Sequence, residues 1–418
     1  GEPLIGVTVI EKGTTNGAVT DLDGNYKITT KTATPVLVFS YVGYQTKETH
    51  ATENIVNIVL EDGAQELGEV VVTALGIKRS EKALSYNVQK VGNDAVTTVK
   101  SANFMNSLSG KVAGVNINAS SAGMGGAARV VMRGPKSISQ SNQALYVIDG
   151  IPVTGRSQGE LKGDAMMYAN QPGTESIADV NPEDIESISV LSGPAAAALY
   201  GSAAAQGVVM ITTKKGQEGK VSVTISNSSQ FANPFVMPKF QDQYVNRPGE
   251  IKTWGDKATS EFGTYEPADF FNTGTNIQNN ISLTAGTSKN QTYLSVGTTN
   301  AQGIIPNNSY DRYNFTFRNT TSFLNDKMTC DFNFNYIREK DKNLMAQGQW
   351  FNPLTSLYLF PRGESFDAIR TFEVYDPVRK IYVQNWNYGD ALKMQNPYWV
   401  ANRMNRTNDR NRYMVSAS

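Results

Sequence analysis

The sequence has one cysteine, Cys330, and one histidine, His50, in 418 residues. A single thiol excludes a disulfide within the chain. One Cys with one His cannot supply the ligand set of a structural zinc site. A Ser-His-Asp triad has only His50 to use, and His50 lies in a Thr-rich stretch with no nucleophile motif nearby. No enzyme is expected, and no metal or cofactor. An excess of charge is also missing: Lys plus Arg is 38 and Asp plus Glu is 38. A nucleic-acid binder needs surplus positive charge to displace counterions, so that class is set aside. Charged residues make up 18%, below the roughly 25% usual for soluble domains. No apolar run approaches the roughly 18 residues of a membrane helix. No basic-plus-apolar leader opens the chain, so it reads as a mature protein or a piece of one.

Glycine and aromatics are plentiful: 36 Gly, 19 Tyr and 17 Phe. Few charges, many turn residues and many rings suit an all-β chain better than a helical bundle or a disordered tail. Residues 1–62 show short apolar runs at Val7 and Val9, Tyr26 and Ile28, Val36 to Tyr41, and Ile55 to Leu60. Asn16-Gly17 and Asp23-Gly24 read as tight hairpin turns, because Asn, Asp and Gly accept positive φ cheaply. A small antiparallel β-sandwich is expected. Asp21-Leu22-Asp23-Gly24-Asn25 is not a calcium loop, since its glycine comes two positions early and no helix flanks it. Gly6-Val7-Thr8-Val9, Gly17 to Tyr26 and Phe39-Ser40-Tyr41-Val42-Gly43-Tyr44 together resemble the carboxypeptidase regulatory-like domain. That family has one more strand before residue 1, so a trimmed N-terminus is expected.

Residues 63–80 read as a linker, yet they carry Glu69-Val70-Val71-Val72-Thr73-Ala74. Successive β-branched residues in a linker call for a pairing strand. The residues alone leave two readings open: a last strand of the preceding domain, or a strand kept for a partner by β-augmentation.

Residues 81–216 mix short helices and strands. Helical turns are expected at Asn103–Leu108, from Pro182 after the N-cap Asn181, and at Ala195–Tyr200 before Gly201. Strands are expected at Val115–Ile117, Arg129–Arg133, Ala144–Ile148, Ile188–Leu191 and Val208–Thr212. Gly123 to Ala128 fits G-x-G-x-x-A, but a dinucleotide fingerprint needs a helix to follow, and Arg129–Arg133 is strand-like. Asn106 to Val115, Arg133-Gly134, Leu145 to Val153 with Asp149-Gly150, Asp184 to Gly201 and Ala205 to Gly216 come in a fixed order. Together they resemble the plug domain of TonB-dependent transporters, in the SusC-like branch found in Bacteroidetes. The motif residues carried over are Arg133, Gly134, Asp149, Gly150, Asp184, Glu186, Gly193, Tyr200 and Gly201; Ser192 stands where the family often has Lys. On the same resemblance, Glu69 to Ala74 is similar to the TonB box. Arg129, Arg133, Glu183, Asp184 and Glu186 are expected to pair with wall charges and seat the plug.

Residues 217–418 alternate with period two. Val221, Val223 and Ile225 alternate with polar residues, as do Ile281 and Leu283, Leu294 and Val296, Tyr313 to Phe317, Phe332 to Tyr336, and Tyr413 with Val415. One apolar and one polar face suits a transmembrane barrel wall, although a soluble sandwich alternates too. The Asn, Ser and Thr of the polar face, the mid-strand Arg318 and the Tyr and Phe near strand ends favour the membrane. So do a short turn at Asn325-Asp326 and long connections over 227–278 and 339–410. The Asn-x-Ser/Thr sequons lie within strands and are not read as glycosylation sites. The second long loop holds Trp350, Trp386 and Tyr388, candidate ligand contacts whose alternative is packing within the loop.

The expected fold is mostly β: a small β-sandwich (1–62), a linker with the TonB box (63–80), an α+β plug domain (81–216), and the first strands of a transmembrane antiparallel β-barrel (217–418). The family barrel has about 22 strands, and so few strands as these cannot enclose a plug. The chain is therefore expected to be an N-terminal portion of a longer parent, neither stable nor active alone. The resemblance implies a Gram-negative outer-membrane importer of oligosaccharides. Its implied partners are a TonB-type energy-transducing protein, which pulls the box strand in the periplasm, and a SusD-like surface lipoprotein, the two-protein complex forming a dimer. Oligopeptide is the alternative ligand. Siderophore import and a surface adhesion β-protein are lower alternatives, and a periplasmic enzyme is disfavoured.

Overall fold

The computed structural model describes residues 3–14, 16–30, 35–41, 44, 46–51, 55–60, 70–72, 78–80, 88–120, 122–138, 142–153, 176–191, 193–259, 266–346, 348, 350–386, 388 and 394–418. These fall into two compact units, a small N-terminal one and a large one that contains everything from Val88 onward.

The small unit is a four-stranded antiparallel sheet. Strands β1 (Thr8–Glu11), β2 (Gly17–Val19), β3 (Val36–Ser40) and β4 (Lys47–His50) lie in the order β2-β1-β3-β4. Alternation puts Val7, Val9, Leu37 and Phe39 into one core. Tyr26, Ile28, Ile58 and Leu60 cover it without joining the ladder, Tyr26 meeting Phe39 edge-on at 5.4 Å. These segments were expected as strands and are core-covering coil instead. Asn16-Gly17 is not a two-residue turn either: residues 12–16 separate β1 from β2, and Gly17 already pairs with Ile10. Asp23-Gly24 does turn, with Gly24 at φ 76°. The Asp21 carboxylate accepts the backbone N–H of Asp23 and Asn25, which makes the segment a side-chain-capped turn.

Strands β5 (Val70–Val72) and β6 (Lys78–Ser80) make a two-stranded sheet. In the large unit, the α+β domain is built on β7 (Val88–Gly92), α1 (Asp94–Thr97), β8 (Val115–Asn118), β9 (Arg129–Met132), β10 (Leu145–Ile148), β11 (Ile151–Val153), β12 (Ile185–Leu191), α2 (Pro194–Tyr200) and β13 (Val208–Thr213). Five strands form one sheet in the order β11-β10-β13-β12-β7, and β8 and β9 form a separate ribbon. Val130, Ile177, Ile185, Ile188, Val209 and Ile211 fill its core. The helix expected from Pro182 is a single 3-10 turn, Pro182–Asp184. Its start signals work, since Asn181 caps Glu183 N–H, but the β-branched residue Ile185 opens β12 directly.

Long strands follow: β14 (Gly219–Ala232), β15 (Gly274–Gly286), β16 (Asn290–Gln302), β17 (Ser309–Phe323) and β18 (Met328–Lys342). A long connection then holds α3 (Pro353–Tyr358), the hairpin of β19 (Glu373–Asp376) and β20 (Ile381–Gln384), and α4 (Pro397–Arg403). It leads into β21 (Thr407–Ala417). The long strands form one antiparallel sheet in the order β14-β15-β16-β17-β18-β21. At one end of the sheet the links are short, 287–289 and 324–327. The other end carries 233–273, 303–308 and 343–406.

Burial decides between sandwich and membrane wall. Toward the α+β domain the sheet buries polar side chains: Asn276, Gln278, Asn280, Ser295, Thr299, Arg312, Asn314, Thr316 and Arg318. Its other face exposes Val221, Val223, Ile225, Ile281, Val296, Phe315, Phe332 and Val415. A soluble sandwich has the reverse arrangement, and a barrel wall in lipid has this one. The apolar band is densest near the short links, with Phe231 and Ile277 exposed nearer the long connections. Closer to the long connections the outer face turns polar, with Asn227 bonded to Asn279 at 2.6 Å, Asn300 to Asp311 at 2.7 Å and Arg338 to Asp409 at 3.1 Å. β14 to β18, at 13 to 15 residues, exceed the roughly 9–11 that cross a bilayer, so the polar part stands clear of it.

Candidate functional site

The polar inner face of the wall exists to hold the α+β domain. Three aspartates of that domain organise the contact.

The first is Asp149. It closes β10 with Gly150 in a two-residue turn to β11, with φ of 47° and 86°, the left-handed pair that an Asp-Gly hairpin provides. This turn aims the carboxylate across β13. It accepts the Thr213 N–H at 2.9 Å, the Thr213 hydroxyl at 2.6 Å and Nη1 of Arg318 on β17 at 3.2 Å. Arg318 also holds Asp331 of β18 through Nε at 2.9 Å and Nη2 at 2.7 Å, and Lys215 reaches the same carboxylate at 2.7 Å. This two-pronged grip is what the guanidinium fork is suited to.

The second is Asp184, buried at the end of the capped turn. Tyr293 of β16 donates its hydroxyl at 2.9 Å and Thr316 of β17 at 2.7 Å. Burial pushes the Asp184 carboxyl above its ordinary value, against the lowering influence of the Ser295, Thr316 and Tyr293 hydroxyls. The same turn sends Asn181 to Asn280 of β15 at 2.8 Å, while Ser226 of β14 donates to Glu183 at 2.9 Å. Asn181, Glu183 and Asp184 thus touch four neighbouring wall strands. Glu183 also pairs with Lys100 inside the domain.

The third is Asp179, fully buried. Arg410 and Arg412 of β21 both bind its carboxylate, and Arg410 also binds Glu339 of β18 at 2.7 Å. Burial, and next Glu339, push the Asp179 carboxyl up to about 7, against the pull of the arginines. Beside it Arg312, 1% exposed, donates to the backbone carbonyls of Ala102 and Ala178 and to Thr299. The wall therefore grips backbone as well as side chains.

At the long-connection end the glycines of the G-x-G-x-x-A segment find their use. A Cβ on Gly125, at φ 80°, would lie 2.1 Å from the Tyr310 ring, and one on Gly123 would lie 2.9 Å from Asn308. Met345, at the start of the long connection, donates its N–H to the Ala122 carbonyl at 2.9 Å. The loop is a close-packed contact with the wall and its outer connection.

Among the motif residues expected from sequence, Asp149, Gly150 and Asp184 meet in this seat. Arg133 (φ 56°) and Gly134 form an exposed turn after β9, and Arg133 lies beside Gly193. Gly193 and Gly201 bracket α2 with positive φ, and Tyr200 lies against Met210. Arg129, Arg133 and Glu186 were expected to pair with wall charges; they are exposed, and no direct ion pair to the wall among the described residues uses them. Of the box segment, Val70, Val71 and Val72 are the strand β5, while Glu69, Thr73 and Ala74 lie outside the described residues. Trp386 and Tyr388 pack 4.8 Å apart against the core of Phe270, Phe360 and Phe366, and Trp350 lies 6.4 Å from Phe351. For Trp386 and Tyr388 the contacts observed are packing within the loop. Sequence reasoning missed Asp179, Arg312, Arg410 and Arg412. The signal for the arginines was parity: each shares the inward phase of its strand with Asn314 or Met414.

Comparison with known proteins gives matches over both domains. A CarboxypepD_reg-like domain model matches residues 1–72, and a TonB-dependent Receptor Plug Domain model matches residues 80–208. The chain is 32% identical over 354 residues to the TonB-dependent receptor SusC of Bacteroides thetaiotaomicron, covering 82% of this chain and 33% of that protein. It is 31% identical over 385 residues to the TonB-dependent receptor P26 of Formosa agariphila, covering 88% and 36%. The RagAB peptide importer in its open-open state shares the fold at a TM-score of 0.53 and 18% identity, over 83% of this chain and 40% of that one. The chain spans about a third of the length of the curated relatives it matches.

Proposed function

Because the chain belongs to the SusC-like TonB-dependent receptors of the outer membrane, we propose that it is the plug-bearing part of an active oligosaccharide importer. Its partners in this reading are a SusD-like surface lipoprotein, which delivers ligand, and a TonB-type protein, which pairs with Glu69–Ala74 and pulls. The assembly is a dimer of the two-protein complex. The domain limits follow the same reading: a regulatory-like domain over 1–62, the box linker over 63–80, the plug over 81–216 and the wall over 217–418.

The observation that carries the proposal is the seat itself. A domain held to the inner face of a lipid-facing wall by polar groups, with little apolar interlocking, releases those groups to water when it moves. Exchange of a neutral hydrogen bond for one with water costs about 1 kcal/mol net and of a charged one about 1.5–3 kcal/mol, so a pulled plug can leave its wall one contact at a time. An apolar interface of the same size would oppose release through burial at about 25 cal/mol per Å².

Oligopeptide is the second reading, favoured by the fold shared with a peptide importer. Native mass spectrometry of the full-length complex, extracted gently from outer membrane, separates the two. Bound masses spaced by hexose or pentose, with a lipoprotein partner, are expected. A ladder of peptide masses supports the second reading, and a lone protein without partner or ligand contradicts the assignment.

A further inference from the structure

Asn93 joins the first plug strand to the turn that grips the wall. It follows β7 directly, at the start of α1, yet its side chain caps no backbone N–H of that helix; its Oδ1 accepts the Thr97 hydroxyl at 3.4 Å. Asn is favoured there because it normally accepts a helix N–H. Here Nδ2 turns the other way and donates to the carbonyls of Pro182 at 3.1 Å and Ile185 at 2.7 Å. Those two carbonyls bracket Glu183 and Asp184. The turn they belong to is the one that reaches Ser226, Asn280, Tyr293 and Thr316 on four neighbouring wall strands.

Chain order gives this pair of bonds a direction. A pull on the segment before Val88 reaches β7 before any other strand of the five-stranded sheet. Among the described residues β7 is the edge of that sheet and pairs only with β12, from Val88 opposite Leu191 to Gly92 opposite Ser187. An edge strand comes away without breaking any other ladder. Asn93 is the next residue, and its side-chain N–H groups are bonded to the turn, while its carbonyl and Oδ1 accept from α1.

We propose that Asn93 is the positioning residue through which displacement of β7 unseats the Asn181–Asp184 turn from the wall. This rests on the reading of Glu69–Ala74 as the pulled strand. Asn93 transmits the movement and touches no ligand.

The test uses the full-length transporter in energised cells, in a Cys330→Ser background. Ser295→Cys is the reporter, because Ser295 is buried beneath the turn and the change is nearly isosteric. With Asn93 intact, a water-soluble maleimide labels the reporter only when substrate and energy are both supplied. Asn93→Ala is expected to keep the reporter protected at rest and to keep ligand affinity, while energised labelling and uptake both fall about thirtyfold, the scale of two lost hydrogen bonds. Asn93→Asp, which loses the donor at constant size, is expected to match it. Energised labelling at the parental rate in both variants overturns the proposal. So does labelling of Asn93→Ala at rest, which would make Asn93 a simple structural brace. Val71→Pro separates the premise: if it leaves energised labelling intact, the box reading fails and the relay with it. If it abolishes labelling while Asn93→Ala does not, only the relay fails.

Discussion

Arg318 of the wall reaches Asp149 of the plug at 3.2 Å while gripping Asp331 of the next strand with its two other nitrogens. One guanidinium therefore ties the plug hairpin to two barrel strands. All three side chains are largely buried, so the pair cannot be opened on one side without leaving a charge unpaired.

Arg318→Met is expected to loosen the seat by about 3–5 kcal/mol, the cost of stranding buried carboxylates. Arg318→Lys keeps the charge but loses the fork and is expected to fall between. Hydrogen exchange of β13 and the Asp149-Gly150 turn in the full-length protein reads this directly. Parental protection in Arg318→Met would show that the contact carries no load.

Gly125→Ala is expected to disturb the outer end of the plug. Its Cβ meets the Tyr310 ring in a left-handed backbone conformation, so overpacking of about 1–3 kcal/mol adds to a left-handed penalty of about 1–2 kcal/mol. Tyr310→Ala in the same chain should recover the packing part only. A double-mutant cycle on thermal stability with no coupling between the two would contradict this contact.

Asp179 supplies a pH dependence. Seated, its carboxyl is pushed up to about 7 by burial and Glu339; released, it titrates at about 4. Between these values the seated form keeps a proton that the released form has lost. Its contribution to seating is therefore greatest on the acid side and declines as pH rises through the window. Limited proteolysis of the plug in urea, at about pH 5 and about pH 8, should show the decline in the parent and a flatter response in Asp179→Asn. Equal slopes would place the proton elsewhere.

Much of the fold was legible from short-range pattern. The alternation of Tyr313, Phe315 and Phe317 marks a wall strand, and the ordered plug motifs mark the domain. Strand ends were not legible, because Asn227, Asn279, Asn300 and Asp311 face outward above the lipid band and break the apolar-polar period. The 3-10 turn at Pro182 carried true helix-start signals and was cut short by Ile185, which tertiary packing drew into β12. Asp179 was invisible for a different reason: its partners Arg410 and Arg412 lie 231 and 233 residues away. Ring count cannot tell a platform from a core, so the sequence left Trp350, Trp386 and Tyr388 between ligand contact and loop packing; Trp386 and Tyr388 pack against the core of Phe360 and Phe366.

Import driven by a pull on Glu69–Ala74 is the central claim. The most direct measurement is uptake of labelled oligosaccharide by cells carrying full-length Val71→Pro, compared with surface binding of the same ligand. Proline removes the N–H that strand pairing needs. Unchanged binding with abolished uptake is the predicted result. Uptake at the parental rate would contradict it.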